Sequence, residues 1–503
     1  MESCNWVLKY ASILLVLFYR SSSSTYATPI SSFSPSPLEL VIMNTTSLHQ
    51  SYTALSDFRL INRRFLETCS APSSSVQINI SSSKSTLSND EFVTVTVTGV
   101  KNPSEGDWVA MISPSNSNVG ACPLNEAYYI QTGDIAKLPL LCHYPIKAQL
   151  LQNDPEYLSC KKKGCSGSLK FHVVNIRSDI EFAFFSGGYL NPCLVTRSNP
   201  IKFDNPKMPL YGHLSSIDST ATSMRLTWVS GDNQPQQVQY GDGKKVTSEV
   251  TTFSQNDMCS NPTIPSPAKD FGWHDPGYIH SAPGALSVIK AITDEVKSNN
   301  VNSIFHIGDI SYATGFLAEW DYFLQLINPI ASKVPYMTAI GNHERDYIAS
   351  GSVYVTPDSG GECGVPYETY FPMPVQEKDK PWYSIEQASV HFTIISTEHN
   401  LLPNSEQYQW IQKDLASVNR EKTPWLVFMG HRQMYHSGKI LNEDKIFVSI
   451  IEPLLLQYKV KTWSLKRISE FGYLRGHATR TELKLELVNS GTRKVEDTFR
   501  ITK

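Results

Sequence analysis

Five side chains stand out for the chemistry they could do together: Asp309, Tyr312, Asn342, His343 and His431. Each lies at or just beyond the end of a short apolar run that closes in glycine. Residues 303–307 lead into Gly308-Asp309, with Tyr312 three residues on. Residues 334–340 lead into Gly341-Asn342-His343-Glu344, and residues 425–429 into Gly430-His431-Arg432. Such runs read as buried parallel strands, whose C-terminal tips deliver side chains into one crevice at the sheet edge. A carboxylate, a phenol, an amide oxygen and imidazoles form a donor set suited to hard or borderline ions such as Fe, Mn, Zn or Mg.

The GD-x-x-Y, GNHE and GHR motifs, in that order and spacing, resemble the metal motifs of purple acid phosphatases, in the calcineurin-like metallophosphoesterase superfamily. The likeness is to the larger plant members and runs from about Asp57 to the C-terminus. It implies that Asp309 bridges two metal ions and that Tyr312 is the tyrosinate on a ferric ion. By the same resemblance Asn342 and His431 bind a divalent ion (Zn, Mn or Fe), and His343 is the catalytic group that holds the substrate phosphate. His436, just past the third strand tip, is a further candidate for the phosphate pocket. The implied reaction is hydrolysis of small phosphomonoesters at acid pH. There a metal pair binds phosphate, lowers the pKa of a bound water and stabilises the developing charge.

The family pattern has five metal motifs, and three are present. A strand ending in G-D-x-G belongs before the segment that feeds Ser303, and a G-H-x-H belongs after the segment 453–460; neither occurs. The ferric ion keeps Asp309 and Tyr312, and the divalent ion keeps Asp309, Asn342 and His431. Two protein ligands hold iron poorly, whereas three hold a divalent ion weakly. The chain is therefore expected to carry at most one divalent ion and to be weakly active or inactive. The alternatives are a non-catalytic secreted glycoprotein of pseudo-phosphatase type and a phosphodiesterase or nucleotide pyrophosphatase variant. His274, Asp275 and His280, beside the first gap, are weaker stand-ins for a lost ligand. His391 and His399 read as structural.

The elements that must position these residues make an α+β multidomain chain: N-terminal β-sandwich modules, then an incomplete α/β metallophosphoesterase domain. Residues 1–27 read as a secretory signal, since the apolar run 10–19 is too short to span a bilayer. Residues 28–75 are a Ser/Pro-rich linker. Residues 76–205 read as a β-sandwich, with Phe92–Val97 alternating at period two. Residues 206–282 are read as a truncated, fibronectin III-like module, and 283–503 as the incomplete catalytic domain. Within the latter, Pro283-Gly284 is read as opening a helix, and Gly476-His477 as the turn before a strand at 483–488.

Composition narrows the classes further. Charged residues are 18% of the 503, with a formal net charge of −3 and no basic stripe, which argues against a nucleic-acid partner. No later apolar run is long enough to cross a membrane. Of nine cysteines, Cys4 leaves with the signal and the rest suggest disulfides of open connectivity. Two sequons, at Asn44 and Asn79, fit glycosylation on a secretory route to the cell wall, apoplast or vacuole. A homodimer is compatible with the family resemblance. From the ligand count follows a first prediction: elemental analysis of the purified chain finds no more than one divalent ion per molecule and no purple charge-transfer band. Close to two metals per chain, one of them iron, would contradict it.

Overall fold

The computed structural model describes residues 4–7, 75–82, 85–119, 143–188, 192–240, 243–261, 266–285, 301–434, 442–460, 472–489, 492 and 494–503. The signal segment apart from residues 4–7, the linker, the sequon at Asn44 and His436 lie outside them.

The first module is a β-sandwich of seven strands, as its alternation predicts. One sheet pairs β1 (Gln77–Ser81), β2 (Asp90–Val100) and β5 (Cys165–Val174). The other runs β4 (Lys147–Leu150), β3 (Trp108–Ile112), β6 (Glu181–Ser186), β7 (Cys193–Arg197). Val93, Val95 and Val97 of β2 are fully buried against Phe171 and Val173, while the intervening threonines face outward. Cys160 and Cys165 pair across the Lys161–Gly164 turn. Asn79 is exposed on the outer face of β1.

The second β unit contains more strand than its sequence suggests. β8 (Leu210–Ser216), β9 (Ser223–Ser230), β10 (Glu249–Thr251) and β11 (Tyr278–Ala285) form one antiparallel sheet in the order β10-β11-β9-β8. The helix expected to open at Pro283 is corrected here. Antiparallel pairing with β9 carries β11 through Pro283 and Gly284 to Ala285, opposite Arg225, Met224 and Ser223. Tertiary pairing overrides the local Pro-Gly signal. Nor does this unit keep a core of its own: Leu210, Tyr211, Val229 and Ile279 join one cluster with Ile304, Phe305, Phe323 and Met337. β8 runs beside the first parallel strands through a bridge from Leu214 to Pro335.

The α/β unit opens with β12 (Ile304–Ile307), crosses through helix α1 (Ala318–Ala331) and returns as β13 (Tyr336–Ala339), parallel to β12. A helix linking two parallel neighbours is the usual crossover. Beyond it, β14 (Tyr383–Gln387) and β15 (Val390–Ile394) form a hairpin, followed by helix α2 (Glu406–Ser417) and then β16 (Trp425–Met429), parallel to β15. The parallel sheet is thus in two pieces, β12-β13 and β14-β15-β16, and no strand among the described residues joins them. Phe305 and Phe392 stack across the divide at 4.5 Å.

Among the described residues, the far edge of the sheet is β16. Helix α3 (Asn442–Gln457) follows it, and the C-terminal sheet is built from β17 (Gly472–Ala478), β18 (Glu482–Asn489) and β19 (Val495–Thr502). Between β16 and this sheet lies a cleft of about 680 Å³ lined by Leu426, Phe428, Leu485 and Phe499 among others. His477, expected in a turn, lies inside β17 opposite Lys484, and the turn falls after Ala478.

Helix α1 fastens the sandwich to the catalytic unit. Ala318 and Tyr322 enter the sandwich core, while Trp320, Phe323 and Leu324 enter the other. Where the two cores meet, Arg177 holds Asp321 in a bidentate pair at 2.6 and 3.0 Å, both side chains buried. Buried Lys147 donates to the carbonyl of His172 at 2.8 Å and lies 3.8 Å from the centre of the Tyr322 ring. Removing one partner of a buried pair strands the other charge in a poorly solvating site. Asp321→Ala is therefore expected to cost roughly 3–5 kcal/mol in urea unfolding, with Arg177→Met/Asp321→Leu recovering most of it. Equal losses in the single and double variants would show that the pair is not what holds the joint.

Candidate metal centre

The three strand tips do converge. Asp309 follows Gly308 with both residues in the left-handed region, at φ 51° and 91°. Only glycine serves at 308, because a Cβ there would meet Nδ1 of His431 at 2.4 Å. Gly341 is likewise required by closeness, since a Cβ would fall 2.5 Å from Oδ1 of Asp309. Tyr312 also has positive φ, at 54°. Non-glycine residues in this region concentrate at functional turns, where surrounding bonds over-determine them. Here the over-determining group is Glu344, buried beneath both loops. One of its oxygens accepts from the Ile310 N–H at 2.7 Å and the other from the Gly341 N–H at 3.0 Å. A single carboxylate thereby ties the β12 tip to the β13 tip. Burial, and then the Asp309 charge, push Glu344 up to about 8.

At the centre, Nε2 of His431 lies 3.1 Å from Oδ1 of Asp309 and 2.9 Å from Oδ1 of Asn342. Nδ1 of His431 donates to the Ile307 carbonyl at 3.2 Å, so in the neutral ring Nε2 carries the lone pair. The Asn342 amide is oriented as well, because its Nδ2 donates to Asp358 at 2.9 Å and leaves Oδ1 inward. Three acceptor atoms therefore face one another, an arrangement that needs either a shared proton or a cation. Spacings near 3 Å are those of adjacent donors around a six-coordinate ion at about 2.1 Å. The donor set fits one divalent cation.

It does not fit the ferric half of a dinuclear centre. The Tyr312 hydroxyl donates to Oδ2 of Asp309 at 2.6 Å, and burial, reinforced by Asp309, pushes the phenol far above its usual range. It acts as a hydrogen-bond donor to Asp309. Among the described residues no group of three or more His, Cys, Asp or Glu side chains is placed to hold a metal ion.

His343 sits at the mouth. Its backbone N–H donates to Oδ1 of Asp309 at 3.2 Å, its ring lies tilted 4.5 Å from that of Tyr312, and Nδ1 reaches the Asp358 carbonyl at 3.2 Å. Nε2, 3.9 Å from Oδ2 of Asp309, faces the crevice. The proposed stand-ins are elsewhere. His280 bonds Ser248 and the Asp232 carbonyl within the second β unit, His274 bonds the Ile176 carbonyl, and Asp275 accepts from Gly277. His391 and His399 are held by Asp414 and Ser396, as structural histidines should be.

Sequence reasoning missed a charged cluster behind the third tip. Arg432 forks onto Glu398 at 2.9 and 2.8 Å, reaches Asp346 at 2.8 Å and stacks 3.6 Å over Tyr354. Both carboxylates are fully buried, and one guanidinium serves two of them. Burial, with Glu398 close by, lifts Asp346 to about 9. The R of the GHR motif was the visible signal. Its partners, 34 and 86 residues away, left none.

The β–α–β unit whose strand tips gather a carboxylate, an amide and imidazoles lies in a stretch similar to the calcineurin-like phosphoesterases. Residues 273–477 match that family, and residues 76–205 match the Fn3-like domain from purple acid phosphatase. The Fn3-like match falls on the first β module. The chain is 34% identical over 465 residues to probable inactive purple acid phosphatase 1 of Arabidopsis thaliana, covering 78% of this chain and 72% of that protein. It is also 34% identical to probable inactive purple acid phosphatase 27 of the same plant, over 69% of this chain and 66% of that one. A solved purple acid phosphatase from yellow lupin (Lupinus luteus) seeds superposes with a TM-score of 0.71 at 28% identity, covering 85% of this chain and 96% of that chain. The chain belongs to the purple acid phosphatase family.

The centre has a pH signature. Burial alone would lower His431, but the Asp309 charge and hydrogen bond raise it to about 9. Burial alone would raise Asp309, but His431 and His343, with bonds from His431 and Tyr312, hold it well below the usual carboxylate range. Because the folded value of His431 exceeds the unfolded one, its stabilisation is complete below pH about 6.5 and is lost as pH rises through about 9. In cation-free protein followed by NMR, His431 should titrate near 9, and Asp309→Asn should lower that midpoint by at least about one unit. A midpoint unchanged by Asp309→Asn would contradict the pairing.

Proposed function

We propose that this chain is a secreted purple acid phosphatase-like protein whose site retains a single divalent-cation position and little or no hydrolytic turnover. The observation that carries this reading is the approach of His431 Nε2 to within about 3 Å of both Asp309 Oδ1 and Asn342 Oδ1, beside a Tyr312 hydroxyl that donates to Asp309. The two Arabidopsis relatives, named as probably inactive, support it. Small phosphorylated molecules are the ligands the site suits, with His343 as the phosphate-facing group.

Asp309, Asn342 and His431 would hold the cation, and a cation there would supply positive charge to a phosphate oxygen. The protein's own groups do the rest. The Asp358 carbonyl fixes the His343 tautomer, so Nε2 is the nitrogen presented to the crevice. Tyr312 and the His343 N–H neutralise part of the Asp309 charge, and Glu344 sets the distance between the two loops. Among the described residues the site has no second charged grip on the phosphate and no activated nucleophile, effects that together span many powers of ten in rate. Localisation to the cell wall, apoplast or vacuole follows from reading residues 1–27 as a signal and Asn79 as a glycan site. No helix among the described residues is long and apolar enough to cross a membrane.

The test is turnover of para-nitrophenyl phosphate at acid pH with Mn²⁺ or Zn²⁺, using Asp309→Asn as the blank. The expected result is no metal-dependent difference between the two proteins. Activity in the natural chain that vanishes in the variant would show that the reduced site works.

A further inference from the structure

Asp358 belongs to none of the recognised motifs, yet it bonds two of the residues that do. Its carboxylate accepts from Nδ2 of Asn342 at 2.9 Å and from the Thr356 hydroxyl at 2.7 Å, while its carbonyl accepts from Nδ1 of His343 at 3.2 Å. We propose that Asp358 is a positioning residue that aims the Asn342 carbonyl oxygen at the cation position. This rests on the single-cation reading above.

The argument starts from the ambiguity of an amide. Asn342 can turn either its oxygen or its NH₂ toward Asp309 and His431. Without a cation, the charge of Asp309 favours the NH₂ and would rotate the amide into a useless orientation. A competing carboxylate on the opposite side removes that option, since it accepts only from the NH₂. Asp358 is held for this task from outside the α/β unit. Its loop is tied to the second β unit by the Cys259–Cys363 disulfide, by Cys259 N–H to the Gly361 carbonyl at 2.9 Å and by Ala268 N–H to the Gly360 carbonyl at 3.0 Å. Ser359 N–H also bonds the Asp346 carbonyl at 2.9 Å. The carboxylate is therefore anchored on a fixed backbone.

Three variants separate positioning from charge. Asp358→Ala removes the acceptor, Asp358→Asn keeps an acceptor oxygen but removes the charge, and Asp309→Ala is the blank for the site. In calorimetric titration of the full chain with Mn²⁺, Asp358→Ala should bind about 10- to 100-fold more weakly than the natural protein. Asp358→Asn should stay within about threefold, the smaller loss expected when the hydrogen bond survives. Wild-type affinity in Asp358→Ala overturns the proposal. So does Asp358→Asn binding as weakly as Asp358→Ala, which would make Asp358 a charge or a direct ligand. A second readout needs no cation: the side-chain amide resonance of Asn342, assigned by its loss in Asn342→Asp. It should shift in Asp358→Ala and hold in Asp358→Asn, and no shift in Asp358→Ala overturns the proposal. If the natural chain binds no Mn²⁺, the single-cation reading fails and this resonance decides the role of Asp358 by itself. Should Asp358→Ala fail to fold, Thr356→Val, which frees the carboxylate to swing, carries the same two measurements.

Discussion

The site depends on one buried carboxylate. Glu344 accepts a backbone N–H from each of two loops, and those loops carry Asp309 and Asn342. Neither loop could keep its conformation alone. Asp309 and Tyr312 occupy a backbone region that costs each of them on the order of 1–3 kcal/mol, and Gly341 meets the Asp309 carboxylate with no room to spare. A buried acceptor with both oxygens engaged makes that geometry the lowest available, because releasing either loop would leave an N–H unpaired away from water. The position of a catalytic-looking cluster is thus set by a residue that touches none of the chemistry.

The rest of the architecture works around two interruptions. Among the described residues β12-β13 and β14-β15-β16 share no backbone ladder, and aromatic stacking and a common core hold them side by side. The second β unit contributes its apolar face to that same core, which explains why 206–282 does not form a separate module. On the other flank, the cleft beside β16 leaves Leu426, Val427 and Phe428 only half-buried. An edge strand with apolar neighbours is a site for unwanted pairing. Helix α1 compensates on the near side, packing into both cores and fixing the sandwich through Arg177 and Asp321.

Much of this was legible in the residues. Apolar runs closing in glycine located three strand tips, and the tips do meet: Nε2 of His431 lies within about 3 Å of both Asp309 and Asn342. The alternation of Phe92–Val97 located the sandwich, and structural histidines such as His391 were separable from ligands by their place in a strand. Two local signals misled. Pro283-Gly284 reads as a helix start only if β9 is ignored, and Gly476-His477 reads as a turn only if β18 is. Both are long-range pairings that no local window contains. Asp358 was the least legible, because its relevance comes from a loop anchored by a cysteine 104 residues upstream of Cys363.

That same cross-link has a topological meaning. Residues 259 and 363 close a covalent ring, and both Asp309 and Asn342 lie inside it. A single peptide-bond cut anywhere between them opens the ring without separating the pieces, so the two strand tips stay on one molecule. In a protease-rich extracellular setting, the chain could be nicked on a gel and still hold its centre together. The signature would be a band that splits only when the sample is reduced.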